Sequence, residues 1–244
     1  MTETKYKNVV IIPTYNEIEN IEAIVRVVLA LEIAFDILVV DDNSPDGTAR
    51  CVRRLQSEFS GRLHLEERAG KAGLGTAYIH GFRWALAHDY DYIFEMDADF
   101  SHNPSDLCRL YAECAHHGSD VAIGSRYANN VVNVVNWPIR RVLLSYGASI
   151  YVKFITGMKI NDPTAGFICY SRKVIEAIDL DKIQFVGYAF QIEMKYKAYL
   201  KKFKITEVPI VFTDRVNGKS KMSNGIIREA VWGVFAMRMK QLFA

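Results

Sequence analysis

The 244-residue sequence contains no CxxC pair: its four cysteines stand at 51, 108, 114 and 169. That gives no support to a zinc knuckle or a disulfide scaffold and fits free thiols in a reducing compartment. No apolar run approaches the ~20 residues that span a bilayer. The run after the polar N-terminus, residues 9–12, is too short for a signal-peptide core. A soluble or peripheral protein is expected. Charge of either sign is not in excess, with 30 Lys and Arg against 28 Asp and Glu. A nucleic-acid binder concentrates far more basic residues on one face, so no nucleic-acid partner is expected. No segment has the GxxxxGK[ST] spacing of a phosphate-binding P-loop. Gly73-Leu74-Gly75 is followed by Thr76, Ala77 and Tyr78, without the third glycine of a dinucleotide fingerprint. Hydride transfer thereby loses its main support. Internal repeats and low-complexity linkers are also missing.

What is there is a chain half apolar, long enough for one sizeable core. Residues 9–12, 37–40, 63–65, 92–96 and 121–124 read as short buried strands. Helical spacing of apolar residues follows each of the first four. Asn16, with Glu19 three residues on, is expected to cap the first helix, carrying Ile18 on its inner face. Asp46 is expected to cap the second, and Asn103-Pro104 to open the fourth. Strands alternating with helices predict an α/β fold with a mostly parallel central sheet flanked by helices. The second half is less regular: helices over 140–154, 190–200 and 225–243, and strands over 166–170 and 205–212, with Pro209 marking an edge.

Ligands in such sheets bind beyond the carboxyl ends of the strands. The polar clusters fall there, at 13–17, 41–46, 97–102 and 124–127. Asp97-Ala98-Asp99 follows a strand directly. Two carboxylates at that spacing either share a divalent cation of the Mg²⁺ or Mn²⁺ type or only shape a turn. The other clusters on the same edge favour the cation. In Asp41-Asp42-Asn43-Ser44, Asp42 is assigned to hydrogen-bonding a base or ribose, while Pro45 and Gly47 shape the turn. Lys71 either faces phosphate or builds the floor. Arg126, Arg140, Arg141, Arg215, Lys219 and Lys221 are clustered cations suited to phosphate groups.

Together these segments resemble a known family. They are Ile12-Pro13-Thr14-Tyr15-Asn16-Glu17, the run from Val39 to Thr48, and the run from Lys71 to Tyr78. Met96-Asp97-Ala98-Asp99-Phe100-Ser101-His102-Asn103-Pro104 and Gly124-Ser125-Arg126-Tyr127 follow. Asp162 to Phe167, Gly187 to Met194 and Asp214 to Lys221 complete the set. The chain is similar to inverting family 2 glycosyltransferases of GT-A fold, in their dolichyl- or polyprenyl-phosphate mannosyltransferase branch. The resemblance covers nearly the whole chain, and the QxxRW motif of processive synthases is not found.

The resemblance implies a GT-A nucleotide-diphospho-sugar transferase. Pro13, Tyr15, Glu17, Asp42 and Lys71 would line the nucleotide site. Asp97 and Asp99 would bind Mg²⁺ or Mn²⁺, with Ser101 where some members carry a glutamine ligand. Arg126 and Arg140 would hold the acceptor phosphate, and Arg215 and Lys221 the donor diphosphate. The implied reaction moves mannose from GDP-mannose to dolichyl or polyprenyl phosphate, with UDP-glucose as the alternative donor. Many relatives carry transmembrane helices after the catalytic domain. This chain resembles compact forms, peripheral on the cytoplasmic face of a membrane or recruited by a small membrane-anchoring subunit. A catalytic domain over 1–224 is expected, with an amphipathic helix over 225–244 for membrane or partner contact. A second apolar segment, 142–154, competes for that role. The tail is preferred because a chain end docks without disturbing the sheet.

Overall fold

The computed structural model describes residues 6–187, 189–214 and 232–240. Seven strands form the central sheet: β1 (Asn8–Thr14), β2 (Asp36–Asp41), β3 (Leu63–Glu67), β4 (Tyr92–Glu95), β5 (Val121–Ser125), β7 (Ile168–Ser171) and β8 (Ile205–Pro209). A two-stranded ribbon pairs β6 (Val134–Val135) with β9 (Phe212–Thr213). The helices are α1 (Ile21–Leu29), α2 (Thr48–Glu58), α3 (Leu74–Ala87), α4 (Asp106–Ala115), α5 (Ile139–Thr156), α6 (Arg172–Ala177) and α7 (Ala189–Leu200).

The sheet order is β3-β2-β1-β4-β7-β5-β8. Every pairing is parallel except those of β7, which runs antiparallel to both β4 and β5. The expected mostly parallel sheet is therefore present, with one reversed strand. Pro209 lies on the edge strand β8, where its missing N–H breaks no ladder. The expected strand over 205–212 is divided into β8 and β9.

Successive side chains of a strand point to opposite faces, and β1 and β2 are apolar on both. Val9, Ile11, Leu38 and Val40 enter one core with Tyr78, Phe82, Phe190 and Met194 from α3 and α7. Val10, Ile12, Ile37 and Val39 enter the other with Ile24, Val52 and Leu107 from α1, α2 and α4. Gly81 lets α3 approach closely, since a Cβ there would lie 2.7 Å from Ile11. Val234 of the 232–240 helical segment is buried in the first core, and Met237 packs against it.

Two local expectations need correction. The first helix begins at Ile21, not at Asn16. Asn16 has φ of +59°, a left-handed conformation outside helical space. Its N–H donates to Ser44 Oγ at 3.0 Å, and Ile18 N–H donates to Asp46 Oδ2 at 3.0 Å. Ile18 is consequently exposed. The N-cap of the second helix is Gly47, not Asp46, which stands one residue earlier and accepts from Thr48 N–H through Oδ1 at 2.9 Å.

Candidate active site

The carboxyl ends of β1, β2 and β4 put three polar loops side by side. Asp41, fully buried, is structural. Its Oδ1 accepts from Thr14 Oγ1 and Ser44 Oγ, both at 2.7 Å, and its Oδ2 from Ser44 N–H at 2.8 Å. This locks the first two loops together. Asp42 is held differently: Arg68 Nε donates to its Oδ1 at 2.6 Å. Arg68 Nη1 donates to Thr76 Oγ1 at 2.8 Å, and that hydroxyl donates to Gly73 O at 2.7 Å. Arg68 thus ties the Asp42 loop to the glycine turn that carries Lys71. Sequence reasoning missed it, although its place immediately after β3, on the same sheet edge, is a usable signal. Gly73 has φ of +104°, and a Cβ would meet Val186 O at 2.7 Å, so only glycine fits this turn. Lys71 Nζ lies 5.1 Å from the centre of the Tyr15 ring. Two expected nucleotide-site residues therefore meet. Pro13 and Glu17 sit partly exposed on the same rim, and Glu17 N–H donates to Thr48 Oγ1 at 3.0 Å.

Asp97 and Asp99 follow β4, Asp99 buried and Asp97 partly exposed. Asp99 Oδ1 accepts from the Ser101 amide at 3.1 Å and from the Ser101 hydroxyl. Phe100 has φ of +59°, which turns the chain back so that Ser101 reaches Asp99. No group of three or more His, Cys, Asp or Glu gathers among the described residues. The donor set is two carboxylates and a hydroxyl, all hard oxygens. That suits Mg²⁺ or Mn²⁺, which keep several positions for phosphate and water. His102 lies behind this loop, stacked on Phe167 with centroids 4.8 Å apart. Burial pushes its imidazole down to about 4, against the pull of Asp99. It is a neutral wall at neutral pH.

Arg126 follows β5. Its Nε and Nη2 grip both oxygens of buried Asp162 at 2.7 and 2.6 Å, and Nη2 also reaches Thr164 Oγ1 at 2.8 Å. Asp162 is itself fixed: Glu207 on β8 accepts from its N–H at 2.9 Å and from the Asn161 N–H at 2.8 Å. The Arg126 guanidinium lies 5.3 to 5.7 Å from the centres of the Tyr127, Trp137 and Phe212 rings. Arg140 is exposed on the first turn of α5. Its neighbour Arg141 stacks on Trp137 at 4.0 Å and pairs with Asp214 at 2.9 Å. Phe212 lies between His102 and Arg126, its ring 5.4 Å from the His102 ring and 5.7 Å from the guanidinium. Arg215 and Lys221 lie outside the described residues.

Two buried titratable groups were also missed. Glu95 of β4 and Lys195 of α7 are both fully buried. Burial pushes the Glu95 carboxyl up to about 8, against Lys195, and the Lys195 ammonium down to about 8, against Glu95. Lys195 Nζ donates to Ala165 O at 2.6 Å, anchoring the loop that carries Asp162. Its signal was the lysine at an inner helical position of the Gly187 to Met194 run's continuation.

A sheet of this topology, with an acidic pair after its fourth strand and a carboxylate-bearing rim beside it, is that of a GT-A-type transferase. Residues 9–179 match the model of Glycosyl transferase family 2, and the chain belongs to that family. It is 46% identical over 233 residues to the polyprenol monophosphomannose synthase of Mycolicibacterium smegmatis, covering 93% of this chain and 87% of that one. It is 43% identical to the undecaprenyl-phosphate mannosyltransferase of Micrococcus luteus, covering 93% of each. To the dolichol-phosphate mannosyltransferase of Pyrococcus furiosus it is 38% identical, over 93% of this chain and 62% of the other. Among solved structures, glucosyl-3-phosphoglycerate synthase of Mycobacterium tuberculosis, bound to Mn²⁺, UDP-glucose and phosphoglyceric acid, superposes with a TM-score of 0.70. That match covers 96% of this chain and 80% of the other at 16% identity, a likeness of fold.

Proposed function

We propose that the chain transfers mannose from GDP-mannose to the phosphate of a polyprenyl or dolichyl lipid, with Mg²⁺ or Mn²⁺ held by Asp97 and Asp99. One observation carries this reading. An unbroken line of rings with the Arg126 guanidinium among them runs from His102 behind the acidic pair, through Phe212 and Arg126, to Tyr127 and then Tyr146 on α5. Beyond Tyr146 the surface of α5 is apolar and exposed: Ile139, Leu143 and Phe154 are 70, 65 and 84% accessible. An enzyme acting on a lipid phosphate needs this order of parts: donor site, acceptor cations, membrane face. The three relatives, a polyprenol monophosphomannose synthase and mannosyltransferases of undecaprenyl and dolichol phosphate, support the same reading.

The chemistry is one in-line displacement. A lipid phosphate oxygen attacks the anomeric carbon from the face opposite the diphosphate. The bond from that carbon to the leaving phosphate oxygen breaks, GDP departs with the electron pair, and configuration inverts. A phosphate monoester has a second pKa near ~6 and is already nucleophilic at neutral pH, so no strong general base is required. Arg140 and Arg126 orient the acceptor. Lys71, Arg215 and Lys221 offset charge developing on the diphosphate. A divalent cation held by Asp97 and Asp99 would add Lewis-acid stabilisation of that charge. Asp42, oriented by Arg68, accepts from the base or ribose.

No described helix is long and apolar enough to cross a membrane. The tail of the lipid costs ~0.8 kcal/mol per methylene to expose to water, so the enzyme goes to the bilayer. α5 is the face we assign to that contact, on the cytoplasmic side, where the four unpaired cysteines suit a reducing compartment. The test is a panel of GDP- and UDP-sugars, each with polyprenyl phosphate and Mg²⁺ or Mn²⁺. Transfer from GDP-mannose is expected. Preferred transfer from UDP-glucose reverses the donor, and no transfer to any lipid phosphate ends the reading.

A further inference from the structure

Glu207 stands outside every segment that carries the family resemblance, yet it holds the Arg126 side of the site together. It lies in the middle of the edge strand β8, opposite Ile123 of β5. Its carboxylate serves three donors. Oε1 accepts from Ser125 Oγ at 2.8 Å and from the Asp162 N–H at 2.9 Å, and Oε2 accepts from the Asn161 N–H at 2.8 Å. Successive backbone N–H groups that converge make a concavity for an anion. At residues 161–162 the Glu207 carboxylate is that anion. The far end of the same loop is tied by Lys195, whose Nζ donates to Ala165 O at 2.6 Å. Between these two anchors the loop presents Asp162 and Thr164 to Arg126.

Arg126 is the next link. It commits Nε and Nη2 to the two Asp162 oxygens, and Nη2 also to Thr164 Oγ1. Its backbone N–H donates to Asp162 Oδ2 at 3.0 Å as well. A guanidinium and a carboxylate joined by two parallel bonds share a plane. The plane of Asp162 therefore sets the plane of Arg126, and with it the direction of Nη1. We propose that Glu207 is a positioning residue for the acceptor: by fixing Asp162 from behind, it sets the direction in which Arg126 presents Nη1 to the acceptor phosphate. The proposal rests on the acceptor reading given above and deepens it. Charge alone does not account for the arrangement. Buried Asp162 already balances Arg126, so the site offers a phosphate an oriented N–H more than a net positive field. Recognition that depends on orientation is lost when the donor tilts, even with the charge still in place. None of the three donors to Glu207 belongs to the loops that carry Asp42, Asp97 or Asp99. A tilt of Asp162 is thereby felt on the acceptor side and not on the nucleotide side.

The test compares two variants of the full chain. Glu207→Gln keeps the shape and replaces one acceptor oxygen by a donor. Glu207→Asp keeps the charge and is one methylene shorter, and it serves alone if the first does not fold. The melting temperature verifies folding of each. Initial rates are measured with geranyl phosphate, a water-soluble acceptor, and with whichever of GDP-mannose and UDP-glucose the unaltered protein uses. Each variant should raise KM for geranyl phosphate at least about fivefold and leave KM for the nucleotide-sugar within about twofold, the mark of an interaction made with one substrate only. A second readout needs no transfer. The Arg126 Nε–H signal in ¹H–¹⁵N spectra is assigned by its absence in Arg126→Lys. It should exchange with water at least about tenfold faster in each variant than in the unaltered protein, since its bond to Asp162 opens more often. Geranyl phosphate should shift the same signal in the unaltered protein. Unchanged Arg126 exchange, an unchanged acceptor KM or an equal rise in both KM values overturns the proposal, and a shift by geranyl phosphate then leaves the acceptor reading standing. If geranyl phosphate neither shifts the signal nor accepts sugar, the acceptor reading falls and the positioning role falls with it.

Discussion

Asp97, Asp99 and Asp162 are three carboxylates with different surroundings, and the consequences of removing each differ. Asp97→Asn and Asp99→Asn keep the shape of the loop after β4 and remove the charge that would bind a cation. Each should lower turnover at least about 100-fold, because several kcal/mol of charge stabilisation depart with the metal. A chelator should bring the unaltered protein to the same level, and added Mn²⁺ should restore only the unaltered protein. Near-normal turnover by either folded variant would end the assignment. Asp162 is a matter of stability as well as positioning. Burial raises its pKa, but the charge and hydrogen bonds of Arg126 outweigh this, and the net direction is down. A carboxyl held below its unfolded value, ~3.9, stabilises the fold above that value and loses the contribution as pH falls through the folded one. Asp162→Asn should therefore destabilise by about 3–5 kcal/mol at pH 7, the cost of leaving Arg126 buried without its partner. The deficit relative to the unaltered protein should shrink below pH 4. Thermal melts at pH 7 and pH 3 measure it, and a deficit independent of pH would show that the ion pair is not its source.

At the scale of elements, α5 is the departure from an ordinary globular helix. Only Ser149, Val152 and Thr156 of its eighteen residues are buried. Leu143→Ser with Phe154→Ser should leave the melting temperature within about 2 °C, since exposed substitutions cost little. The same pair should reduce co-sedimentation with anionic phospholipid vesicles several-fold. Unchanged sedimentation would remove α5 from the membrane contact. The helix itself was legible from the sequence, as its apolar residues recur at helical spacing. Its exposure was legible only as a choice between membrane contact and core, because periodicity records which residues are apolar and not what covers them. The sheet was legible for a related reason: β-branched runs such as Val9 to Ile12 are apolar on both faces and fit only a covered strand. The acidic pair was legible because it stands directly after such a run. Arg68, Asp162, Glu95 and Lys195 were harder to see, since their partners are distant in sequence and only the topology brings them together.

For the whole molecule, the question is whether residues 225–244 form a separable unit. Val234 is buried in the core, Arg238 Nη1 donates to Tyr196 Oη at 3.2 Å, and Lys240 Nζ donates to Gln184 Oε1 at 2.9 Å. On the other side Trp232 is 69% exposed. Residues 232–240 are thus attached by one face, with Trp232 and Phe235 exposed on the other. Truncation after Gly225 exposes the surface that Val234 and Met237 cover. A loss of about 1.5–3 kcal/mol per fully buried side chain corresponds to a melting temperature several degrees lower at this size. An unchanged melting temperature would make the segment an independent appendage.

The reversed strand β7 has a consequence for the order in which the molecule is made. β1, β2, β3 and β4 pair only with one another and, at one edge, with β7. The β1–β4 part of the sheet can therefore pair from the first hundred or so residues to leave the ribosome. β5 has no such neighbour: its partners, β7 and β8, are both synthesised after it. During that interval an apolar strand with two unsatisfied edges waits for pairing, the condition in which strands misassociate. Pulse-labelled hydrogen exchange during refolding should find the amides of residues 9–12 and 37–40 protected before those of 121–124, and simultaneous protection would refute the order. β5 and its two partners are the late half of this sheet, so a chain interrupted before β7 is left with four strands paired and the fifth without a neighbour.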